Sequence, residues 1–251
     1  MIKLKSAREI NLMRDAGKIV AEVLAEMEKA IREGVTTAML DKIAEKIIRK
    51  NGAEPAFLGY HNFPASICTS INNEVVHGIP GLRRLKEGDI ISIDVGTRLK
   101  GYYGDAAATF HVGKISPEAR KLIDVTRTSL QKAIDTMQVG KRLSDLSHTV
   151  QVYVEHNHLS VVRNYVGHGI GQEMHEEPQV PNFGLPGRGP VMQQGIVLAI
   201  EPMVNIGTWE VKVLNDQWTV VTADGSLSAH FEHTVALGDN GPEVLTSSDP
   251  N

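Results

Sequence analysis

This chain reads as an α/β protein of the α+β kind, two similar halves packing their helices against one shared sheet. The strongest sign is a repeated pattern: a glycine, a run of β-formers, then an acid six residues on. It occurs as Gly88-Asp89-Ile90-Ile91-Ser92-Ile93-Asp94 and again as Gly195-Ile196-Val197-Leu198-Ala199-Ile200-Glu201. Helical periodicity precedes each copy, so the order is helices, acid-bearing strands, helices, acid-bearing strands. No low-complexity segment or linker separates the halves. The expectation is one domain over residues 1–251, with halves roughly 1–115 and 116–251 and enough chain to bury a full core.

Ser6 and Glu9 form the S-x-x-E capping box that opens a first helix. Behind it Ile10, Met13, Gly17, Val20, Leu24, Met27 and Ile31 recur at steps of three and four, and Gly34 supplies the stop. A coiled-coil seam needs the same spacing, but the stripe is short and a second helix follows at once, which favours packing on the chain's own sheet. That second helix, about 37–50, has Leu40, Ile43, Ala44, Ile47 and Ile48 inside and ends at Asn51-Gly52. Strand texture begins near Ser66. Residues 90–95 and 102–112 are β-rich and joined by a short turn at Lys100-Gly101, an antiparallel pair.

Ser116-Pro117 opens the third helix, serine at the cap and proline at the first helical position. Leu122, Ile123, Leu130, Ala133, Ile134 and Met137 give its buried side, and Gly140 closes it. Residues 144–156 read as a fourth helix, although Val150-Gln151-Val152-Tyr153-Val154 also alternates like a strand. Strands return at 161–166, 195–200, 219–222 and 229–237, the last two expected to pair through a turn at Asp224-Gly225. The Pro- and Gly-rich stretch 178–190 reads as an irregular surface loop.

Composition narrows the function. A formal charge of −4 and the lack of a dense Lys/Arg run argue against DNA as a partner. Cys68 is the sole cysteine, which excludes an intrachain disulfide and a Cys-rich zinc site. The start, Met-Ile-Lys-Leu-Lys-Ser, has no apolar signal-peptide core. Residues 55–73 lack formal charge but are broken by Pro64 and studded with Asn, Ser and His, so they form no membrane span. A reducing, cytoplasmic setting is expected.

Chemistry concentrates in four acids and one histidine. Asp94 alone could simply start the turn Asp94-Val95-Gly96. Glu201 weakens that reading, because it ends an apolar strand before Pro202 and glutamate is a poor turn residue there. Asp105 and Glu232 sit on equally apolar strands, and an ionised carboxylate is costly to bury without compensation. Four such acids brought together would repel by about 4 kcal/mol per close pair at about 4 Å in an effective dielectric near ~20. Two divalent cations offset that charge, and His168, flanked by Gly167 and Gly169, completes a mixed nitrogen and oxygen shell. Such pairs activate water for hydrolysis. Gly167-His168-Gly169-Ile170-Gly171 lacks the GxGxxG register of a dinucleotide loop, and no P-loop, GxSxG or HExxH motif occurs.

In order, Leu58-Gly59-Tyr60-His61, residues 72–80 ending in His77-Gly78-Ile79-Pro80, Ile93-Asp94-Val95-Gly96 and Gly104-Asp105 resemble the methionine aminopeptidases. So do Gly167-His168-Gly169-Ile170-Gly171, His175-Glu176-Glu177-Pro178, Glu201-Pro202-Met203 and Phe231-Glu232-His233-Thr234. The resemblance covers nearly the whole chain and implies the pita-bread fold, two pseudo-symmetric halves with helices outside a curved antiparallel sheet. It implies two divalent ions, of Co, Mn, Fe, Zn or Ni. Asp94 would hold one, His168 and Glu201 the other, and Asp105 and Glu232 both. A hydroxide between the ions would attack the carbonyl after an initiator methionine whose neighbour is small, with Glu201 shuttling a proton. His175 would stabilise the oxyanion and His77 would contact the scissile amide. Phe57, Tyr60, Phe63, Cys68, Met174 and Trp218 would wall the methionine pocket, where aromatic edges and soft sulfur suit a thioether. Cys68 is expected there as a wall and not a nucleophile, and His61, His230 and His233 as structural. The first helix begins within a few residues of Met1, as in the short bacterial-type form. The resemblance further implies a cytoplasmic monomer that meets nascent N-termini, with transient ribosome association. An Xaa-Pro dipeptidase and a non-catalytic peptide-binding module on the same fold are the alternatives; the second should have lost a ligand, and none is lost.

Overall fold

The structure, a computed structural model, describes residues 1–247. In the first half, α1 (Ala7–Ala30) and α2 (Thr37–Lys50) lead to β1 (Glu54–Pro55), a 3₁₀ turn (Tyr60–Asn62), β2 (Cys68–Ile71) and β3 (Glu74–Val76). The half closes with the long hairpin of β4 (Ile90–Leu99) and β5 (Tyr102–His111). The second half runs α3 (Pro117–Thr136), α4 (Leu143–His156), β6 (Ser160–Val161), β7 (Gly167–Gly169), β8 (Glu176–Val180), β9 (Val197–Ile200) and β10 (Met203–Asn205). It ends with β11 (Val211–Val213), β12 (Val220–Thr222), β13 (Ser228–His230), β14 (Glu232–Gly238) and β15 (Gly241–Val244). The expected capping box on α1 is present, and Ser116 caps α3 ahead of Pro117. The stretch at 150–154 is helical, so the four-residue spacing of Leu146, Val150 and Val154 prevails over local alternation.

One sheet joins the halves. Its order is β1-β4-β5-β14-β9-β7-β8, with β2 added on β4 and β15 on β14, and every pairing is antiparallel. The first half meets the second where β5 pairs with β14. Because strand side chains alternate, β4 turns Ile91, Ile93 and Val95 toward α1 and α2, where Val20, Val23, Met27, Leu40 and Ile48 complete a core. In the second half Leu198, Ile200, Val235 and Leu237 do the same beneath α3 and α4. The opposite face receives the acids.

Helix α1 lies unusually close to the sheet. A Cβ at Gly17 would fall 2.2 Å from the Leu245 carbonyl oxygen, and one at Gly104 would fall 2.8 Å from the Gly17 nitrogen. Two glycines therefore face each other where helix and hairpin touch.

Four expectations about the second half are corrected. The run 229–237 is not one strand: it breaks at Phe231, whose N–H donates to the Pro202 carbonyl. Upstream, β13 pairs with β10 in a three-stranded sheet, while β14 joins the large sheet. The strands β12 and β13 do not pair across Asp224-Gly225. Asp224 instead accepts from the Thr208 and Ser226 N–H groups, tying this turn to the 206–208 loop. Residues 178–180 belong to β8 and not to a loop, because they hydrogen-bond as the outer neighbour of β7. Of 161–166 only Val161 is in a strand, the two-residue β6.

Candidate metal centre

The acids meet because the register of three neighbouring strands puts them on one face. Asp94 lies opposite Ala107 across β4 and β5, and Ala107 lies opposite Glu232 across β5 and β14. Asp94 and Glu232 thus share a row with only a methyl group between them. Asp105 sits two residues before Ala107, on the same face and opposite Gly96. A Cβ at Gly96 would fall 2.7 Å from Phe57 Cε1 and 3.1 Å from Met174 Cε, so its absence leaves room for two of the apolar walls. Asp105 is held by Thr234, whose hydroxyl accepts from its N–H at 3.0 Å and donates to its carbonyl at 2.8 Å.

On the other side, Glu201 follows the last paired residue of β9, and His168 of β7 lies opposite Ala199. His168 Nε2 is 3.6 Å from Glu201 Oε1 and 4.0 Å from Asp105 Oδ2. Its Nδ1 is 2.9 Å from the Gly169 carbonyl. A carbonyl oxygen can only accept, so Nδ1 bears the proton and Nε2 turns a lone pair to the acids.

These groups line a cavity of about 240 Å³ together with Phe57, Tyr60, His61, Phe63, Cys68, His77, Met174, His175 and Trp218. Every residue singled out in the sequence for a catalytic, metal or substrate role is in this wall. His175 approaches His168 with ring centroids 4.3 Å apart, and its Nδ1 is hydrogen-bonded to the Tyr60 hydroxyl at 2.7 Å. Phe63 meets Trp218 edge-on at 5.0 Å, and His77 lies at right angles to Trp218 and Tyr165. His77 itself adopts a positive φ of 60° directly after β3.

No Lys or Arg lines the cavity among the described residues. Burial pushes Asp94 up to about 7. Burial first, and then the neighbouring acids, raise Asp105, Glu201 and Glu232 well above the carboxylate range. Burial lowers His77 and His168 to about 4, so both imidazoles are neutral. Asp94 Oδ1, Asp105 Oδ1 and Glu232 Oε1 are buried with no hydrogen-bond partner among the described residues. Buried carboxylate oxygens without donors, a neutral imidazole aimed at them and no compensating basic side chain fit divalent cations bound by nitrogen and oxygen. The Cys68 thiol, opposite Asp94 in register, is raised by burial and by the acids, which keeps it protonated and unsuited to nucleophilic attack.

Two histidines read as structural lie at the site. His61 is part of the cavity wall. His230 stands behind it, with Nε2 3.8 Å from Glu201 Oε2 and 3.9 Å from Glu232 Oε2. His233 keeps a structural place, its Nδ1 hydrogen-bonded to Thr246 on the far side of the strand.

Residues 11–239 match the model of metallopeptidase family M24, and the chain belongs to that family. The methionine aminopeptidase of Clostridium acetobutylicum is 60% identical over 98% of this chain and 99% of its own length. Methionine aminopeptidase 1 of Bacillus subtilis is 54% identical over a similar span. The crystal structure of the Thermotoga maritima methionine aminopeptidase superposes with a TM-score of 0.98 at 48% identity, covering 99% of this chain and 100% of that one. Within M24, this chain is a member of the methionine aminopeptidase family, with the pita-bread fold. An Xaa-Pro dipeptidase from Bacillus anthracis shares the fold at a TM-score of 0.78 and 20% identity; this chain covers 63% of it.

Proposed function

We propose that this protein removes the N-terminal methionine from polypeptides whose second residue is small. The observation behind this reading is the meeting, in one cavity, of the acid and histidine cluster with an apolar wall of thioether-compatible side chains. Asp94, Asp105, His168, Glu201 and Glu232 would hold two divalent ions. When bound, these supply a nucleophile at neutral pH and Lewis-acid polarisation of a carbonyl. The protein's own groups do the rest. Phe57, Tyr60, Phe63, Cys68, Met174 and Trp218 take the methionine side chain, and burying it excludes water from the scissile bond. Glu201 accepts and returns a proton. His175 offers its Nε2 to the developing oxyanion, its Nδ1 being engaged by Tyr60. His77, in the same cavity wall, contacts the scissile amide.

The whole chain acts as one catalytic domain built from two similar halves. By the same resemblance it works as a cytoplasmic monomer on nascent N-termini, associating transiently with the ribosome. No helix among the described residues is long and apolar enough to cross a membrane.

The test is incubation of a Met-Ala-Ser peptide with protein reconstituted with Co²⁺, Mn²⁺ or Fe²⁺. Free methionine is expected. Its absence with all three ions sinks the reading, and cleavage of Ala-Pro in its place would establish the Xaa-Pro alternative.

A further inference from the structure

Trp218 reaches the methionine pocket from the turn of an outer hairpin. The three-stranded sheet runs β11-β12-β3, so β11 is its edge, and the ladder ends at the Val213–Val220 pair. In the turn beyond it, residues 214–217 are exposed, Trp218 is half-buried and Thr219 is buried. Inward, the Trp218 ring packs edge-on against Phe63. On the other flank Leu214, Asp216 and Thr219 line a second cavity, of about 250 Å³, together with Thr69 and Ile79. Packing therefore grips the turn from one side only.

Hydrogen bonds supply the rest, and they converge on Asp216. Its Oδ1 accepts from the Trp218 N–H at 2.9 Å and the Thr219 N–H at 2.8 Å, and its Oδ2 accepts from the Thr219 hydroxyl at 2.6 Å. Between Asp216 and Trp218, Gln217 has a φ of 66°, a left-handed conformation that a residue with a Cβ keeps only where its surroundings impose it. Partial burial pushes the Asp216 carboxyl up, but the Thr219 hydroxyl and the two N–H groups outweigh it and hold the carboxyl below its ordinary value. At neutral pH it is ionised, and a carboxylate makes the stronger kind of acceptor.

We propose that Asp216 is the positioning residue for Trp218: its carboxylate fixes the 214–219 turn so that the indole closes the methionine pocket, and it thereby sets the affinity for the methionine side chain. Asp216 is not in the wall of the catalytic cavity and acts only through Trp218. The assignment rests on the pocket reading above and deepens it by naming what holds the wall. A wall serves bound substrate and transition state alike, so its loss belongs in KM and not in kcat.

The experiment uses the full chain loaded with Co²⁺ and the Met-Ala-Ser peptide. Asp216→Ala should raise KM about 5-fold or more, the worth of about one hydrogen bond, with kcat unchanged. Asp216→Asn, whose side-chain carbonyl still accepts from both N–H groups, should restore KM. The second readout is fluorescence in a Trp209→Phe background, which leaves Trp218 as the sole tryptophan. There Asp216→Ala should shift the emission to longer wavelength and increase quenching by acrylamide, and Asp216→Asn should do neither. Thr219→Val removes only the hydroxyl donor and should move both readouts the same way by less, which keeps the test open should Asp216→Ala fold poorly. A folded Asp216→Ala with unchanged KM or unchanged emission overturns the proposal. So does a loss confined to kcat, or an Asp216→Asn as impaired as Asp216→Ala. A wild type that releases no methionine overturns the pocket reading and the affinity assigned to Asp216, whereas the emission, which needs no turnover, separately decides whether Asp216 holds Trp218.

Discussion

At the scale of single residues, the acids are separable from the fold. Asp105 and Glu232 are nearly isosteric with Asn and Gln, and Thr234 holds Asp105 through backbone atoms that such a change leaves intact. Asp105→Asn and Glu232→Gln are therefore expected to lower kcat at least ~100-fold, the loss typical of a damaged metal site, while circular dichroism and thermal unfolding remain those of a folded protein. Retained turnover would contradict the shared-ligand arrangement. Tyr60 offers a finer test. Its hydroxyl engages His175 Nδ1 while its ring stays in the pocket wall. Tyr60→Phe should cost about one hydrogen bond, roughly 1 kcal/mol or about fivefold in kcat, with KM for a methionyl peptide little changed. A change confined to KM would make Tyr60 a wall residue alone.

At the scale of elements, the cavity depends on two junctions far from it in sequence. One is the N-terminal segment: Lys5 forms a 2.7 Å ion pair with Glu176, both side chains almost fully buried, and its N–H donates to the Gly195 carbonyl. Glu176 directly follows His175 and accepts from the Gln172 N–H, so the pair pins the loop that presents Met174 and His175. Removing one member of a buried pair strands the other, and Lys5→Ala is expected to destabilise by about 3 kcal/mol or more in chemical denaturation. Burial pushes Glu176 up, but Lys5 and the backbone hydrogen bonds outweigh it and hold the carboxyl below its ordinary 4.5. The pair's contribution is thus fully present above that value and fades as pH falls through the lower folded value. Acid unfolding of Lys5→Ala should accordingly lack that part of the pH dependence. The other junction is Gly17 on α1, where a methyl group would overlap the Leu245 carbonyl. Gly17→Ala should cost about 1–3 kcal/mol by forcing the helix off the sheet, although alanine is the better helix former.

For the molecule as a whole, the centre joins the two halves: Asp94 and Asp105 come from one, His168, Glu201 and Glu232 from the other, across the β5–β14 pairing. Metal should therefore stabilise the whole domain and not one half. A divalent ion at about 100 times its Kd adds roughly 2.7 kcal/mol, so chelation should lower Tm by several degrees in a single transition. Two separate transitions, one insensitive to chelator, would show halves that fold independently.

The sequence alone determined the helices, the two acid-bearing strands and the family. Caps at Ser6 and Ser116, three-and-four spacing and glycine stops are local, and a buried acid at the end of an apolar strand is legible without knowing its neighbours. Tertiary structure decided what local pattern leaves open. The run through Phe231 has uniform strand texture, and only competition between β10 and β5 for its backbone splits it between two sheets. Asp224-Gly225 has hairpin chemistry, but the Thr208 amide claims the aspartate and the flanking strands find other partners. That His230 lies beside Glu201 and Glu232 was not legible either, because the three residues lie at the ends of different strands whose relative register no local pattern records. The physical reason is the same in each case. Helix hydrogen bonds join residues four apart, whereas the pairings that settle these cases reach from the Thr208–Asp224 contact across one loop to the β5–β14 pairing between the two halves, so partners are defined only as the whole chain folds.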